Sequence, residues 1–382
     1  MKTSFVVLLS FLSICTFAQK KKSNAASWSQ KIETKPIVLK ADNWECKPQT
    51  VEFLEYKSRQ TMKLLTSYDR VILKGLDFTN GTIEYDMEPL DPQFTSLYFR
   101  WKDDKENECF YFRTARAGKP KAIDGIQYAP SIDGVNLWDM LFHFQTNADF
   151  KKDVWNHVKL VISGKQMRVY INDMLHPALE VPMLEGNSPS GSLAFDGKVI
   201  ISNLTVTPNS VEGLASEAGI DPTSNDPRYI RNWQVSTPIT TPKNIDFSKD
   251  FIPTAETKWE DISAERRGLI NLTRKFGKTE GRRIVWLKTT IYSDKAQDKM
   301  LRFGFSDEVW VMLNNKPLYI DKNLYNNPIA KHPDGRCSIE NTSMNVPLKE
   351  GENQILIGVA NFFYGWGMVA RFDDLDEIRF DN

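Results

Sequence analysis

Three carboxylates recur at every second position of Glu84-Tyr85-Asp86-Met87-Glu88, inside the run Gly81-Thr82-Ile83-Glu84-Tyr85-Asp86-Met87-Glu88-Pro89. In an extended chain, side chains at i, i+2 and i+4 share a face, so a strand here puts all three on one side. Paired carboxylates can cut glycosidic bonds: a retaining enzyme needs two carboxyl groups about 5–5.5 Å apart, one as nucleophile and one as acid/base. Glu84 and Glu88 are the pair such chemistry would use. The strand rise between them is about 13 Å, so their side chains would have to lean together across a substrate. Pro89 marks the end of that strand. The plainer alternative is an alternating strand with its polar face in water.

A second constellation suits binding better than bond cleavage. Ser96, Tyr98 and Arg100 share one strand parity, and Leu97, Phe99 and Trp101 the other. In the next strand Cys109, Tyr111 and Arg113 alternate with Phe110 and Phe112. If the two strands are neighbours, Tyr98, Arg100, Tyr111 and Arg113 share a polar face. Aromatic rings stack on the C–H faces of sugars, and a guanidinium donates paired hydrogen bonds to hydroxyls or to a carboxylate. Gln127, Tyr128 and Trp138 follow in a loop that could rim this face. Far downstream, Phe362-Phe363-Tyr364-Gly365-Trp366-Gly367 places consecutive rings in a glycine-bearing loop. They cannot all point inward, so Phe363, Tyr364 and Trp366 are candidates for a stacking platform.

Composition narrows the function classes. The 382 residues carry Lys+Arg 49 against Asp+Glu 49, a formal charge of zero, which leaves no global field to draw in a nucleic acid. A hydrophobic fraction of 41% argues for packed cores rather than disorder. No Walker loop and no strand-GxGxxG-helix unit occurs, so no nucleotide cofactor is implied, and no cofactor of any kind is expected. The four His show no HxH or HExxH spacing, which speaks against zinc. Asp373-Asp374-Leu375-Asp376-Glu377 could suggest calcium, but it lacks EF-hand spacing and reads as a solvated turn.

Residues 1–18 read as an export signal: Lys2, an apolar run from Phe5 to Phe17, and Thr16-Phe17-Ala18 before a mature Gln19. The run is shorter than the ~20 residues of a membrane span. A periplasmic or extracellular location is expected, with lipid attachment at Cys15 the alternative. Cys46, Cys109 and Cys337 remain, too few and too scattered for a disulfide framework.

These groups are to be positioned by an all-β chain. Apolar alternation recurs in short segments such as Val51–Tyr56, Asn156–Ile162 and Gln166–Ile171, then again from Arg283 onward, punctuated by Asn80-Gly81, Asn172-Asp173 and Asn314-Asn315 turns. The pattern lapses through 208–227. The expected architecture is two β-sandwich (jelly-roll) domains joined by a linker: an N-terminal extension over 19–39, a first sandwich over 40–207, the linker over 208–227, and a second sandwich over 228–382.

Some of these residues carry resemblances. Glu84-Tyr85-Asp86-Met87-Glu88 resembles the E-x-D-x-E signature of laminarinase-type (family 16) glycoside hydrolases, although it comes early in the chain and ends in Pro89. Phe78–Asp86, Tyr98-Phe99-Arg100, Tyr111-Phe112-Arg113, Gln127-Tyr128, Trp155–Leu160 and Met167–Asn172 look like a concanavalin A-like (laminin G-like) lectin/glucanase domain, related to the 3-keto-disaccharide hydrolase-like group of secreted bacterial proteins. Ser306–Tyr319 and Val346–Ile357 look like a galactose-binding-like jelly roll of the kind appended to glycan-degrading enzymes. The resemblances imply an exported, carbohydrate-binding accessory protein whose partner is an oligo- or polysaccharide. A glycan hydrolase or lyase is the alternative, and a cell-surface interaction scaffold a third. Fold alone does not choose between them.

Overall fold

A computed structural model describes residues 33–242, 247–278 and 281–380. The export signal, Cys15 and the start of the N-terminal extension lie outside them. No helix among the described residues is long and apolar enough to cross a membrane.

Alternation decides the layers. In strand Gly81–Pro89, Ile83, Tyr85 and Met87 point into the first core, so Thr82, Glu84, Asp86 and Glu88 point away from it. This strand sits in the middle of an antiparallel sheet ordered Leu179–Val181, Gln166–Ile171, Asn156–Ser163, Gly81–Pro89, Val199–Pro208, Arg59–Leu64 and Val51–Tyr56. Lys35–Pro36 adds to it through Val206 and Thr205. Entry to the central strand requires Gly81: at φ 139° a Cβ there would lie 2.3 Å from the Thr207 carbonyl.

The facing layer is a seven-stranded sheet ordered Gln145–Thr146, Ile126–Tyr128, Glu108–Arg113, Phe94–Trp101, Ser192–Gly197, Val71–Leu73 and Trp44–Glu45. Leu97, Phe99, Phe110, Phe112 and Tyr128 face the shared core; Tyr98, Trp101, Cys109 and Tyr111 cluster on the outer face.

The second sandwich repeats the plan. One sheet runs Trp259–Ser263, Asn232–Ser236, Arg283–Ser293, Gly351–Asn361, Asp307–Leu313, Lys316–Asn323, and the other Leu269–Asn271, Gly367–Phe372, Gln297–Phe305, Thr342–Leu348. Asn314 and Asn315 hold φ of 51° and 63° in the hairpin between Asp307–Leu313 and Lys316–Asn323, so asparagine does meet the positive-φ demand of this turn.

Both halves are therefore all-β sandwiches, but they are not independent bodies. Tyr229, Leu269, Cys337 and Val369 of the second half belong to the same apolar cluster as the first core. From Glu33 on, the chain forms one compact unit. The segment 208–227 is tied down as it passes: Ser210 accepts from Thr82 Oγ1 at 2.7 Å, Ser216 from the Lys165 amide at 2.8 Å, and Gly219 donates to Pro182 at 2.8 Å.

Candidate functional site

The outer face of the seven-stranded sheet meets loops of the second sandwich across a cleft of about 710 Å³. The cleft is built from strands first. Phe94, Ser96 and Tyr98 project into it from Phe94–Trp101, and Cys109, Tyr111 and Arg113 from Glu108–Arg113. Tyr111 pairs directly with Gln127 on the next strand. Gln127 is fully buried, and its Oε1 accepts from the Tyr111 hydroxyl at 2.7 Å and from Arg113 Nη2 at 2.8 Å. Its Nε2 donates to the Trp138 carbonyl at 2.6 Å. One amide thus sets a phenol, a guanidinium and the backbone of a tryptophan. Arg113 also donates to the Asp124 carbonyl at 3.1 Å and lies 5.2 Å from the Tyr111 ring centroid.

The second sandwich supplies the other wall. Trp138 meets Tyr325 edge-to-face at 4.7 Å and Tyr364 at 5.8 Å, and Phe363 meets Tyr364 at 4.5 Å. The 362–365 loop is pinned by buried carboxylates: Asp307 Oδ2 accepts from the Phe362 and Phe363 amides, and Asp139 Oδ2 from the Gly365 amide at 3.1 Å. Burial pushes the Asp139 carboxyl up to about 7, against the pull of those amide donors, and pushes Asp307 upward as well.

At the cleft floor the Tyr98 hydroxyl donates to Asp196 Oδ2 at 2.8 Å, and Arg70 lies 5.0 Å over the Tyr98 ring and 5.3 Å over Trp101. Asp196 is buried, and this raises its pKa. Arg70 reaches outward to Asp104 at 3.1 Å.

The structure brings together Tyr98, Tyr111, Arg113, Trp138, Phe363 and Tyr364 at the cleft, with Gln127 directly beneath. Trp366 reaches the cleft lining from the second core, while Arg100, Tyr128, Glu84 and Glu88 lie elsewhere. Arg100 turns away because a bulge interrupts the register where the strand passes Ser192 and Ala194. Arg100 itself takes φ 47° and spends its guanidinium on the carbonyls of Thr79 and Gly164, at 2.8 Å each. The same bulge carries Trp101 to the outer face, against the parity expected from the sequence, where its ring meets Tyr98 at 5.3 Å. Tyr128 points into the first core, with its hydroxyl donating to Glu108. Trp366 backs the cleft but is 1% exposed and packs in the second core, its Nε1 bonded to the Val359 carbonyl at 3.1 Å, which leaves little of its ring for stacking.

Glu84 and Glu88 sit on the outer face of the other sheet, away from this cleft. Glu88 is buried, bonded to Lys57 Nζ at 2.8 Å and to the Tyr56 hydroxyl at 3.1 Å. Glu84 faces His157 Nε2 at 3.3 Å, and the other ring nitrogen meets Asp86 at 2.8 Å. That hydrogen bond to Asp86 leads the causes that raise the His157 pKa. Asp373 and Asp374, in the acidic run, are bonded to Arg302 and Lys299.

Sequence reading missed Phe94, although it shares parity with Ser96 and Tyr98. It also missed Arg70, Asp196, Tyr325 and Lys278, which come to the cleft from four separate places in the chain and carry no local signal.

No protein-family model matches the chain, and no curated protein does either. Among solved structures it is similar to a carbohydrate-binding module of Bacillus subtilis (12% identity, 44% of this chain and 93% of that one, TM-score 0.30). A β-glucanase of Bacillus licheniformis (11%, 47% and 98%, 0.33) and a galectin of Caenorhabditis elegans (12%, 44% and 99%, 0.28) are similar at the same level. The class of protein defined here, a double β sandwich with an aromatic cleft at its junction, rests on the sheets and the site themselves.

Proposed function

We propose that this chain is an exported carbohydrate-binding protein, periplasmic or extracellular, that holds an oligo- or polysaccharide in the junction cleft. One observation carries the reading: Tyr111, Trp138, Phe363 and Tyr364 converge from two sandwiches on one cleft, beside a guanidinium fixed by a buried amide. Rings of this kind stack on sugar faces, and a fixed guanidinium gives directional bonds to hydroxyls without first paying to order itself. The test is a glycan array followed by calorimetry on the mature chain, with Trp138→Ala and Tyr364→Ala as variants. Binding that weakens at least about tenfold in both variants supports the reading, each ring contributing on the order of 1–2 kcal/mol. Absence of any glycan signal, or full binding in both variants, overturns it.

A glycan hydrolase or lyase is the second reading. Its support is Asp196, a carboxyl at the floor of the same cleft whose raised pKa suits a proton donor and whose position is fixed by Tyr98. Turnover of any member of a polysaccharide panel, abolished by Asp196→Asn, would favour it. Turnover abolished instead by Glu84→Gln with Glu88→Gln would return the chemistry to the carboxylate strand.

A further inference from the structure

The charged groups at the cleft do not balance. Arg70, Arg113 and Lys278 line it from one side of the ledger, and Asp104 and Asp196 from the other. Both acids are engaged: Asp104 pairs with Arg70, and Asp196 takes the Tyr98 hydroxyl with the Arg70 charge nearby. Arg113 has no carboxylate partner among the described residues; its bonds go to the Asp124 carbonyl, the Tyr111 hydroxyl and Gln127 Oε1. These use three of its five N–H groups and leave one on Nη1 and the one on Nε. Lys278 is exposed, and among the described residues only its backbone amide is engaged, by Asp133 at 3.2 Å.

A fourth cation stands close by. Arg336 comes from the second sandwich, 7% exposed, with its guanidinium 5.1 Å over Trp138 and 5.8 Å over Tyr325. Its bonds go to the neutral oxygens of Asp334 and Gln145, at 2.8 and 3.2 Å, and its Nε has no partner. After burial, the Arg113 charge is the strongest influence lowering the Arg336 pKa, and both guanidiniums act on the Tyr111 hydroxyl. Two arginines from two sandwiches thus act on each other's charge, and among the described residues neither forms an ion pair with a carboxylate; Asp124 acts on Arg113, and Asp139 and Asp334 on Arg336, from a longer range. Like charges in a partly dry site are costly unless a counter-charge arrives. The whole chain is neutral, so an attraction for an anion has to come from local groups such as these.

We infer that the glycan is acidic, its carboxylate or sulfate seated on the free N–H groups of Arg113 beside Tyr111, with Lys278 on the second-sandwich side. This rests on the glycan-binding reading and narrows it. Both Nη2 hydrogens of Arg113 are engaged, so neither bidentate edge of its guanidinium is free, and the anion takes single charge-assisted bonds from Nε and Nη1.

The experiment uses matched oligosaccharide pairs on the full mature chain: oligouronates against their carboxyl-reduced forms, and sulfated galactan oligosaccharides against desulfated ones. Calorimetry is run at roughly 0.05 and 0.5 M salt. The expected result is that an acidic member binds at least about tenfold tighter than its neutral twin, and that the advantage shrinks at high salt. Which pair shows it separates uronate from sulfate. Arg113→Gln and, on the exposed surface where folding is not at risk, Lys278→Gln should each cut the advantage several-fold while neutral-member binding changes less. Equal or tighter binding of the neutral members overturns the inference and leaves the glycan reading standing. An acidic preference untouched by both variants overturns the placement, and no binding in any arm overturns both readings.

Discussion

Gln127 is the residue on which the cleft turns, and its role was not legible from its type. The alternation Ile126-Gln127-Tyr128 gives parity but not depth, so both polar-tipped residues looked like ligand contacts. Instead Tyr128 faces the core, and Gln127 lies beneath the cleft with both ends of its amide engaged. Replacing it by Leu keeps the bulk and removes the acceptor. Tyr111, itself buried, and Arg113 would then lose a shared partner, at a cost of about 1–3 kcal/mol for the orphaned donors. Gln127→Leu should therefore lower stability by that amount in urea titration and weaken glycan binding by more than an exposed substitution such as Lys278→Gln does. Unchanged stability would mean that water serves the two donors equally well.

At the scale of elements, alternation located strands where the period-two pattern is clean. Val51–Tyr56 and Gln166–Ile171 match their expected bounds, because both carry clean period-two patterns between turn residues. Two kinds of feature escaped. Short or polar strands such as Arg59–Leu64 and Leu269–Asn271 are strands by virtue of their neighbours, and their own residues do not announce it. The bulge at Arg100 is the other: one extra residue reverses parity, so that Trp101 gains the outer face and Arg100 loses it. The aromatic loop was legible as exposed, and Phe362, Phe363 and Tyr364 are so, while the anchoring of its end by Asp139 from the other sandwich was not. That anchor is sterically tight. A Cβ on Gly365 would lie 2.5 Å from Met140 Cγ and 2.6 Å from Asp139 Oδ1. Gly365→Ala must displace the loop or the aspartate, with an expected loss of about 1–3 kcal/mol in stability and a parallel loss of affinity as Tyr364 leaves Trp138. Thermal melts and calorimetry on the same sample would show both; a fall in stability with affinity intact would separate the loop from binding.

For the whole molecule, the lapse of alternation through 208–227 is a sequence expectation of a boundary, while the fusion of the two halves has no sequence signal, since contacts between Tyr229 or Cys337 and the first core leave no mark in either segment's periodicity. The fusion buries ionisable groups, and this gives stability a pH dependence whose sign can be worked out. Burial raises Glu108, Asp139 and Glu185 to about 7, and raises Asp196 and Asp307 too, against unfolded values of about 4. Between those limits the folded chain holds protons that the unfolded chain has released, so each group's contribution falls as pH rises. His143 acts the other way: burial, then the Arg267 and Arg266 charges, lower it to about 3, so unfolding takes up a proton below about pH 6.5. The carboxylates held low by hydrogen bonds, Asp69 and Asp226 among them, act below about pH 4 and leave this window alone. Several carboxyls outweigh one imidazole, and His157, raised by Asp86, adds to their side above about pH 6.5. The melting temperature should therefore peak near about pH 4 and decline toward about pH 7.5. Asp139→Asn is the diagnostic variant: its amide oxygen can still accept from the Gly365 amide, but it has no charge to desolvate. It should melt higher than the parent at about pH 7.5, nearly equal it at about pH 4, and so flatten the decline by one proton's share, about 1.4 kcal/mol per pH unit where that group titrates. A parent profile that rises through this window, or an Asn variant that loses stability equally at both pH values, would mean that Asp139 stays charged in the fold and that its bond to Gly365 outweighs its burial.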